Sequence, residues 1–168
     1  MVVEFEVNLE DLKALQRISL RTTNFHKRNR ILNGFFGAIL AFILSFSFGF
    51  GTIVSLLASI LYFIFGSILY NVGLIYQTER LARKNDSLTV GDCKLNISEV
   101  GFRAEFKRTT QHSTWSEVKK VYEDEKRYFI YLSDLQAVII KKEPKNTSKD
   151  ELINFNKLIS GYIKEKEV

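Results

Sequence analysis

The chain has 168 residues, a formal net charge of +5 and a single cysteine, Cys93. One cysteine excludes an internal disulfide and a metal site built from paired cysteines. Part of the positive charge lies at the borders of a long apolar segment, so we expect no nucleic-acid partner from charge alone.

The N-terminal residues show the two-residue period of a strand with one buried face, because Val3, Phe5 and Val7 alternate with polar residues. A strand this short is unstable alone, so we expect it to pair with strands beyond the apolar segment. Asn8 is suited to cap the next helix. That helix has an apolar stripe at Leu9, Leu12, Leu15 and Ile18. The stripe either packs on the domain or lies along a bilayer, and its mixed polar face favours packing.

Residues 31–78 are 48 consecutive positions without Asp, Glu, Lys or Arg. About 20 apolar residues span a bilayer core, so one helix of this length would be too long. Gly49 and Gly51 permit a tight reversal near the middle. We therefore predict a transmembrane helical hairpin with spans near residues 30–48 and 52–76.

Basic residues lie at both ends of this segment, at Lys27, Arg28, Arg30, Arg80, Arg83 and Lys84. The turn between the spans carries no charge. By the positive-inside rule, both flanks belong in the cytoplasm. This predicts a multi-pass protein of the inner (plasma) membrane with both termini cytoplasmic and the lipid bilayer as a partner.

Small residues recur at helical spacing at Gly37, Ala41, Ser45 and Gly49 in the first span, and at Ser55, Ser59, Gly66 and Gly73 in the second. Such faces let helices approach closely, so the spans pack on each other or on a second copy as a homo-oligomer. Small residues are also simply common in membrane helices. Without an ionisable side chain, residues 31–78 give no support to a proton relay or ion path.

The polar C-terminal part consists mainly of short runs with strand character, at 88–90, 94–97, 101–106, 112–115, 118–123, 128–132 and 137–140. Turn signals separate them at 91–92, 99–101, 124–126 and 133–134, which suits an antiparallel meander. Residues 85–87 predict the end of the preceding helix. Ser148 and Glu151 form a capping box for a final helix. That helix has an apolar stripe at Leu152, Phe155, Leu158, Ile159 and Tyr162.

The sequence offers no catalytic constellation. His26 and His112 lack neighbours at metal-ligand spacing, and Cys93 lacks a histidine partner and basic surroundings. Nucleophile-elbow and phosphate-loop motifs are absent. We therefore expect no enzyme activity, no bound metal and no cofactor.

Trp115 is the residue we expect to anchor the core of the small domain, because a lone Trp in a strand buries a large area. Positive charge beyond the membrane flanks lies at Lys107, Arg108, Lys141, Lys142 and Lys145. These residues are either an ordinary charged surface or contacts for anionic lipid headgroups or a protein partner.

The order of elements and the runs at 101–102, 113–118, 121–123 and 128–132 resemble the YcxB-like family of bacterial membrane proteins. Trp115 followed by Glu117 and Val118 matches a pattern typical of that family. The resemblance implies a split pleckstrin-homology-like sheet and helix on the cytoplasmic face, with no established activity.

The expected fold is thus membrane α+β, with a two-helix transmembrane hairpin and a small antiparallel sheet closed by a C-terminal helix. Residues 1–30 pack with the C-terminal domain, 31–78 form the hairpin, and 79–168 form the cytoplasmic YcxB-like domain. The expected function is a non-catalytic binding or scaffolding module at the membrane surface. The alternative is an immunity-like or envelope-stress sensing membrane protein.

Overall fold

The computed structural model describes residues 1–84 and 90–164, with side chains up to residue 162. The chain divides into two compact units. One unit, here called the domain, combines Met1–Leu15 with Glu79–Val168, and the other, here called the hairpin, is Gln16–Thr78. The domain is therefore assembled from two pieces of sequence that the hairpin separates.

A four-stranded antiparallel sheet joins the two pieces of the domain. Its strands, in sheet order, are β1 (Val2–Val7), β2 (Gly91–Ile97), β3 (Gly101–Phe106) and β4 (Thr110–Thr114). β1 pairs with β2 in a register that places Val3 opposite Leu95 and Phe5 opposite Cys93. The N-terminal strand thus pairs with the first strand described after the hairpin, as its alternating pattern predicts.

A second antiparallel sheet of three strands follows. It consists of β5 (Lys120–Glu123), β6 (Arg127–Tyr131) and β7 (Ala137–Lys141), in that order. The strand-rich region therefore forms two sheets, where the sequence suggested one. The β5–β6 turn at 124–126 and the β6–β7 turn around 133–134 are confirmed.

The core of the domain is made mainly by aromatic and aliphatic side chains from the two sheets and the final helix, α4 (Lys149–Lys164). Phe5, Phe102, Phe129 and Phe155 are each at most 1% exposed. The predicted capping box of α4 is present, because the Ser148 amide donates to Glu151 Oε2 over 2.8 Å and the Glu151 amide donates to Ser148 Oγ. Phe155 and Ile159 are completely buried, which confirms the apolar stripe at these positions.

The first helix, α1 (Leu9–Thr22), begins at the predicted cap. The Asp11 amide donates to Asn8 Oδ1, and the Asn8 amide donates to Asp11 Oδ2 over 2.8 Å. Leu12 and Leu15 face β1, β3, β4 and β7 across a small gap of about 30 Å³. This part of the stripe packs on the domain.

The hairpin contains α2 (Asn24–Ser47) and most of α3 (Thr52–Arg83), and both helices are long and apolar enough to cross a membrane. Gly49 in the connecting turn has a φ of +83°, the conformation that a glycine adopts without strain. The helices approach closely at small residues: a side-chain carbon added to Gly66 would lie 3.6 Å from the Cα of Gly34. Tyr62 lies against Gly37 and Gly66. Packing of the two helices on each other is thus confirmed at Gly37 and Gly66, whereas a side-chain carbon added to Gly49 or Gly73 would have open space around it.

Two local predictions are wrong. Gly91 and Asp92 begin β2 and form no turn, because they pair with Val7 and Glu6 of a strand that the sequence places far away. Trp115 is not in a strand but opens a 3-10 turn (Trp115–Glu117). The predicted helix end at 85–87 and most of the predicted strand 88–90 lie outside the described residues.

Candidate functional site

The most unusual side chain of the domain is a buried carboxylate, that of Asp11 in the first turn of α1. It is 1% exposed and is the one acidic side chain in the buried class among the described residues. Arg127 Nε donates to its Oδ1 over 2.5 Å, and Lys141 Nζ lies 3.1 Å from its Oδ2. A buried charge is costly unless it is paired and hydrogen-bonded, and here two cations and one backbone amide meet that need.

Arg127 extends this network to the β5–β6 turn. Its Nη1 donates to Asp124 Oδ2 over 2.9 Å. Partial burial alone would lower the pKa of Arg127, but hydrogen bonds to Asp11 and Asp124 raise it above the usual value. The arginine is therefore a fixed cation that joins the start of α1 to the three-stranded sheet.

An open cleft of about 680 Å³ lies over this network. Its lining residues are Asn8, Glu10, Asp11, Glu125, Lys126, Arg127, Lys141 and Glu143. The lining mixes four acidic with three basic side chains, and the partly buried cations Arg127 and Lys141 are both paired with Asp11. This arrangement holds α1 in place by electrostatics.

Asp11 is a residue of the site that our sequence-based predictions do not include. A signal was present: Asp11 lies four residues before Leu15 and seven before Ile18, on the apolar side of α1. A carboxylate on the buried face of a helix requires a cationic partner elsewhere in the fold. The sequence did not show which cation supplies it.

A second ion pair joins α1 to the segment that follows the hairpin. Lys13 Nζ lies 3.2 Å from Glu79 Oε2, and Arg83 Nη2 lies 2.7 Å from Glu79 Oε1. The two places where the chain leaves the domain, Leu15 and Glu79, are therefore held near each other.

Three of the five basic residues proposed for headgroup or partner contacts are paired with carboxylates of the domain. Lys141 contacts Asp11, Lys142 Nζ lies 2.9 Å from Glu123 Oε2, and Lys145 Nζ lies 3.1 Å from Glu6 Oε2. Lys145 also lies 3.3 Å from Asp92. The structure thus gives these lysines an internal role in joining elements.

Lys107 and Arg108 occupy the turn between β3 and β4, where both are exposed. The register places this turn beside the end of β1, because Phe106 lies opposite Cys93 and Gly91 lies opposite Val7. These two basic residues therefore lie at the end of the sheet where β1 leads into α1.

Trp115 is half-buried and forms part of an aromatic stack on the edge of the core. Its ring stacks on Tyr162 with a centroid distance of 4.3 Å and contacts Phe102 at 5.2 Å. Its indole Nε1 donates to the Ser98 carbonyl over 2.9 Å. Trp115 thereby fastens α4 to the β2–β3 turn, while the fully buried centre of the core belongs to the phenylalanines.

The remaining candidates have ordinary environments. His26 of α2 is buried and lies 3.0 Å from the Tyr70 hydroxyl of α3, and His112 is exposed on β4. Burial, reinforced by the charge of Glu105, raises the pKa of the Cys93 thiol to about 12. Among the described residues, no group of three or more His, Cys, Asp or Glu side chains is arranged to hold a metal ion.

The basic residues that flank the apolar segment lie at the start of α2 and at the end of α3. Lys27, Arg28 and Arg30 are in the first turns of α2, Arg80 and Arg83 are in the last turn of α3, and Lys84 follows directly. His26, next to Lys27, lies 3.0 Å from the Tyr70 hydroxyl, so α2 and α3 share a polar contact near the start of α2. The opposite end, at the turn 48–51, has no charged residue.

Comparison with known proteins identifies part of the domain. Residues 97–159 match the family model of the YcxB-like protein. The match runs from the end of β2 into α4 and contains Trp115 and the 128–132 run on which the resemblance was based. Neither the curated proteins nor the solved structures contain a significant match to the chain. Over residues 97–159, the chain is thus similar to the YcxB-like family.

Proposed function

We propose that this chain is an integral membrane protein whose hairpin spans the bilayer and whose domain is a non-catalytic binding module at the membrane surface. The observation that carries the proposal is the exposed apolar surface of the hairpin. Between Ile31 and Tyr76, 24 large apolar side chains are exposed, Ile53 and Phe48 by 75% and 77%. A monomer in water rarely exposes such a continuous apolar surface, whereas hydrocarbon solvates it at no cost.

The lengths of the helices agree with this proposal. Residues 31–47 of α2 cover about 26 Å at the rise of an α-helix, and residues 52–78 of α3 cover about 40 Å. A bilayer core is about 30 Å thick. The first helix thus matches the core closely, and the second extends beyond it at its basic end.

The charge distribution supports one orientation. The basic end carries both connections to the domain, and the turn at the other end is uncharged. Under the positive-inside rule, the domain and both termini lie in the cytoplasm, and the membrane is the inner (plasma) membrane of a bacterium. The family match and the two antiparallel sheets with a C-terminal helix support a pleckstrin-homology-like module in this position.

Within that module, Lys107 and Arg108 are the candidates for contact with anionic headgroups. They are exposed in the turn between β3 and β4, at the end of the sheet where β1 leads into α1. Because both side chains are exposed and adjacent in this turn, we propose the β3–β4 turn as the lipid contact.

Membrane insertion is tested by alkaline extraction of membranes that contain the full chain. We expect the protein to stay in the membrane pellet at high pH and to be released only by detergent. Release by alkali or by high salt alone would contradict a spanning hairpin.

The headgroup contact is tested separately with an environment-sensitive fluorophore at position 107, in a Cys93→Ser, Lys107→Cys chain reconstituted in nanodiscs. We expect a spectral shift when anionic lipid replaces zwitterionic lipid, and loss of that shift in the Arg108→Glu variant. Lys157→Glu, an exposed change on α4, is the matched control and should leave the shift unchanged. A signal independent of lipid charge would contradict the headgroup contact while leaving insertion intact.

A second candidate function is regulatory: an immunity-like protein or a sensor of envelope stress. The ion pairs of α1 with Arg127 and Glu79 favour a regulatory function. A helix held at these two points would transmit a change in its orientation to the sheets. A deletion strain should then show selective sensitivity to bacteriocins or envelope stress. Growth equal to the parent under all such challenges would contradict this alternative.

A further inference from the structure

The net charge of the chain lies entirely on the hairpin. The chain has 24 basic and 19 acidic residues, and the hairpin, residues 16–78, contains five of the basic residues and none of the acidic ones. The domain is left with 19 of each kind and is neutral overall. The net charge of +5 is therefore carried by Arg17, Arg21, Lys27, Arg28 and Arg30, here called the basic segment.

The cations of the basic segment lack a counter-charge. All of them are exposed except Arg30, which is half-buried. Among the described residues, no carboxylate forms an ion pair with any of the five, whereas cations of the domain such as Lys13 and Arg127 do form such pairs. Arg17 and Arg21 are four residues apart on α1, a spacing at which like charges repel each other. A bound anion relieves this repulsion, so the segment favours an anionic partner.

The basic segment lies at the junction of α1 and α2, and hydrogen bonds fix this junction. Thr23 has an extended backbone, with φ −79° and ψ 140°, and separates the two helices. Its amide and its hydroxyl both donate to the Ser19 carbonyl, over 3.1 and 2.8 Å, and its carbonyl accepts from the Lys27 amide over 3.2 Å. Leu20, Thr23 and His26 are buried. One side of the junction is thus packed, and the cations occupy the exposed side.

The exposed surface of α2 changes from charged to apolar within one helical turn. Lys27 and Arg28 are followed four residues later by Ile31 and Leu32, which are 65% and 42% exposed. Residues four apart lie on the same side of a helix, about 6 Å from each other along its axis. A phospholipid has the same order of parts, with its phosphate directly above its acyl chains. This side of α2 is therefore complementary to the headgroups and upper chains of one lipid leaflet.

We propose that the basic segment is a binding site for the phosphate groups of anionic phospholipids, separate from the contact of the β3–β4 turn. This inference rests on the proposed insertion of the hairpin. A zwitterionic headgroup brings its own ammonium group and leaves the net charge of +5 uncompensated, so anionic lipid is favoured. Four of the five cations are arginines, whose planar guanidinium donates two parallel hydrogen bonds to a phosphate. Each cation near an anionic surface strengthens binding by up to about fivefold.

The test is the composition of the lipid around α2 in the full chain. A Cys93→Ser, Leu32→Cys chain carries a fluorophore at position 32 and is placed in nanodiscs of phosphatidylcholine with a minority of phosphatidylglycerol. A quenching nitroxide is attached to the acyl chains of one lipid or of the other, at equal mole fraction of labelled lipid. We expect labelled phosphatidylglycerol to quench about tenfold more strongly than labelled phosphatidylcholine. Equal quenching by both lipids would overturn the inference and leave insertion intact. Quenching by neither would refute insertion, and the inference with it.

Charge variants assign the lipid preference to the basic segment. Arg17→Gln with Arg21→Gln removes two of its cations and keeps the three that lie directly before the apolar run. We expect this variant to reduce the preference for phosphatidylglycerol about fivefold, and Arg17→Lys with Arg21→Lys to retain most of it. Lys119→Gln with Lys120→Gln removes the same charge from exposed positions of the domain and should leave the preference unchanged. An equal loss in this matched control would assign the preference to net charge and refute the site.

A further variant separates this site from the proposed contact of the β3–β4 turn. Lys107→Gln with Arg108→Gln should leave the quenching at position 32 unchanged, because the basic segment is intact in this chain. Loss of the phosphatidylglycerol preference in this variant alone would place the anionic lipid at the turn and overturn the inference.

Discussion

Arg127 and Asp11 are 116 residues apart in the chain, yet the arginine Nε donates to the aspartate Oδ1 over 2.5 Å in the interior of the domain. The hairpin is inserted between them in sequence, so this bond forms only when the two pieces of the domain have come together. The same carboxylate forms an ion pair with Lys141 and accepts a hydrogen bond from the Asn8 amide. Asp11 is therefore where the N-terminal piece is fastened to the three-stranded sheet.

We predict that Asp11→Ala lowers the free energy of unfolding by about 3 kcal/mol, because it leaves Arg127 and Lys141 as partly buried cations without their shared partner. The measurement is urea unfolding of the full chain in detergent micelles, followed by the fluorescence of Trp115, the single tryptophan. Glu10→Ala is the control: its side chain is 62% exposed and pairs only at the surface with Lys13. This change should cost less than about 0.5 kcal/mol. Equal effects of the two substitutions would contradict the assigned role of Asp11.

Gly101→Ala should destabilise the domain by about 2 kcal/mol or more. A β-carbon at this position would lie 2.2 Å from the Ser113 carbonyl oxygen and 2.7 Å from the Thr114 Cα, so the backbones of β3 and β4 would have to separate. Gly161→Ala in α4 is the matched control, since nothing lies within 4 Å of its added carbon. That change should stabilise the helix by up to about 1 kcal/mol. The measurement is the thermal unfolding of both variants. A Gly101→Ala domain as stable as the parent would refute the close approach of the β3 and β4 backbones at this position.

Cys93 should be nearly inert toward maleimide in the folded protein. Burial, together with the charge of Glu105, raises the pKa of its thiol from 9.0 to about 12, so the reactive thiolate is about a thousandfold rarer at neutral pH. We expect rapid labelling only after unfolding in urea. In a Cys93→Ser chain, Lys107→Cys should label readily under native conditions. Fast labelling of native Cys93 would contradict its position between Phe5 and Phe106.

The same pair of chains reports the side of the membrane on which the domain lies. With the exposed thiol at position 107, an impermeant maleimide should not react in intact cells but should react after lysis, if the domain is cytoplasmic. Labelling in intact cells would reverse the proposed orientation. Cys93 is unsuitable for this purpose, since its burial protects it on either side.

The stability of the first turn of α4 should depend on pH in the acidic range. Hydrogen bonds from the Ser148 amide and hydroxyl lower the pKa of Glu151 below its usual value of 4.5. A carboxyl whose pKa is lower in the folded state stabilises that state above its unfolded pKa, and the contribution is lost as the pH falls through the folded value. We therefore expect weakening of α4 below about pH 4.5 in the parent chain, measured by hydrogen exchange of its first turn.

Glu151→Gln should remove that pH dependence, and Ser148→Ala should cost about 1 kcal/mol of helix stability at neutral pH. Asp150→Asn, a neighbouring acid in the same first turn, is the control for a general charge effect. If Asp150→Asn removed the acid transition as completely as Glu151→Gln, the capping interaction would not be its source.

The sequence by itself determined the elements whose signals are local. The length of the apolar run, the glycine turn at Gly49, the caps at Asn8 and Ser148, and the alternation of β1 each depend on neighbours within a few residues, and each appears in the structure. The resemblance found around Trp115 agrees with the family match over residues 97–159.

The tertiary structure alone decided which distant residues meet. Gly91 is a good turn residue by composition, but pairing with Val7 made it the first residue of a strand. Lys141 and Lys142 have the character of a surface patch in sequence, yet Asp11 and Glu123 neutralise them. Trp115 is expected from sequence to anchor the core, but only the structure shows that its partners are Phe102 and Tyr162. In each case the outcome depends on a partner far along the chain, because burial and ion pairing are set by distances in space that local sequence patterns do not contain.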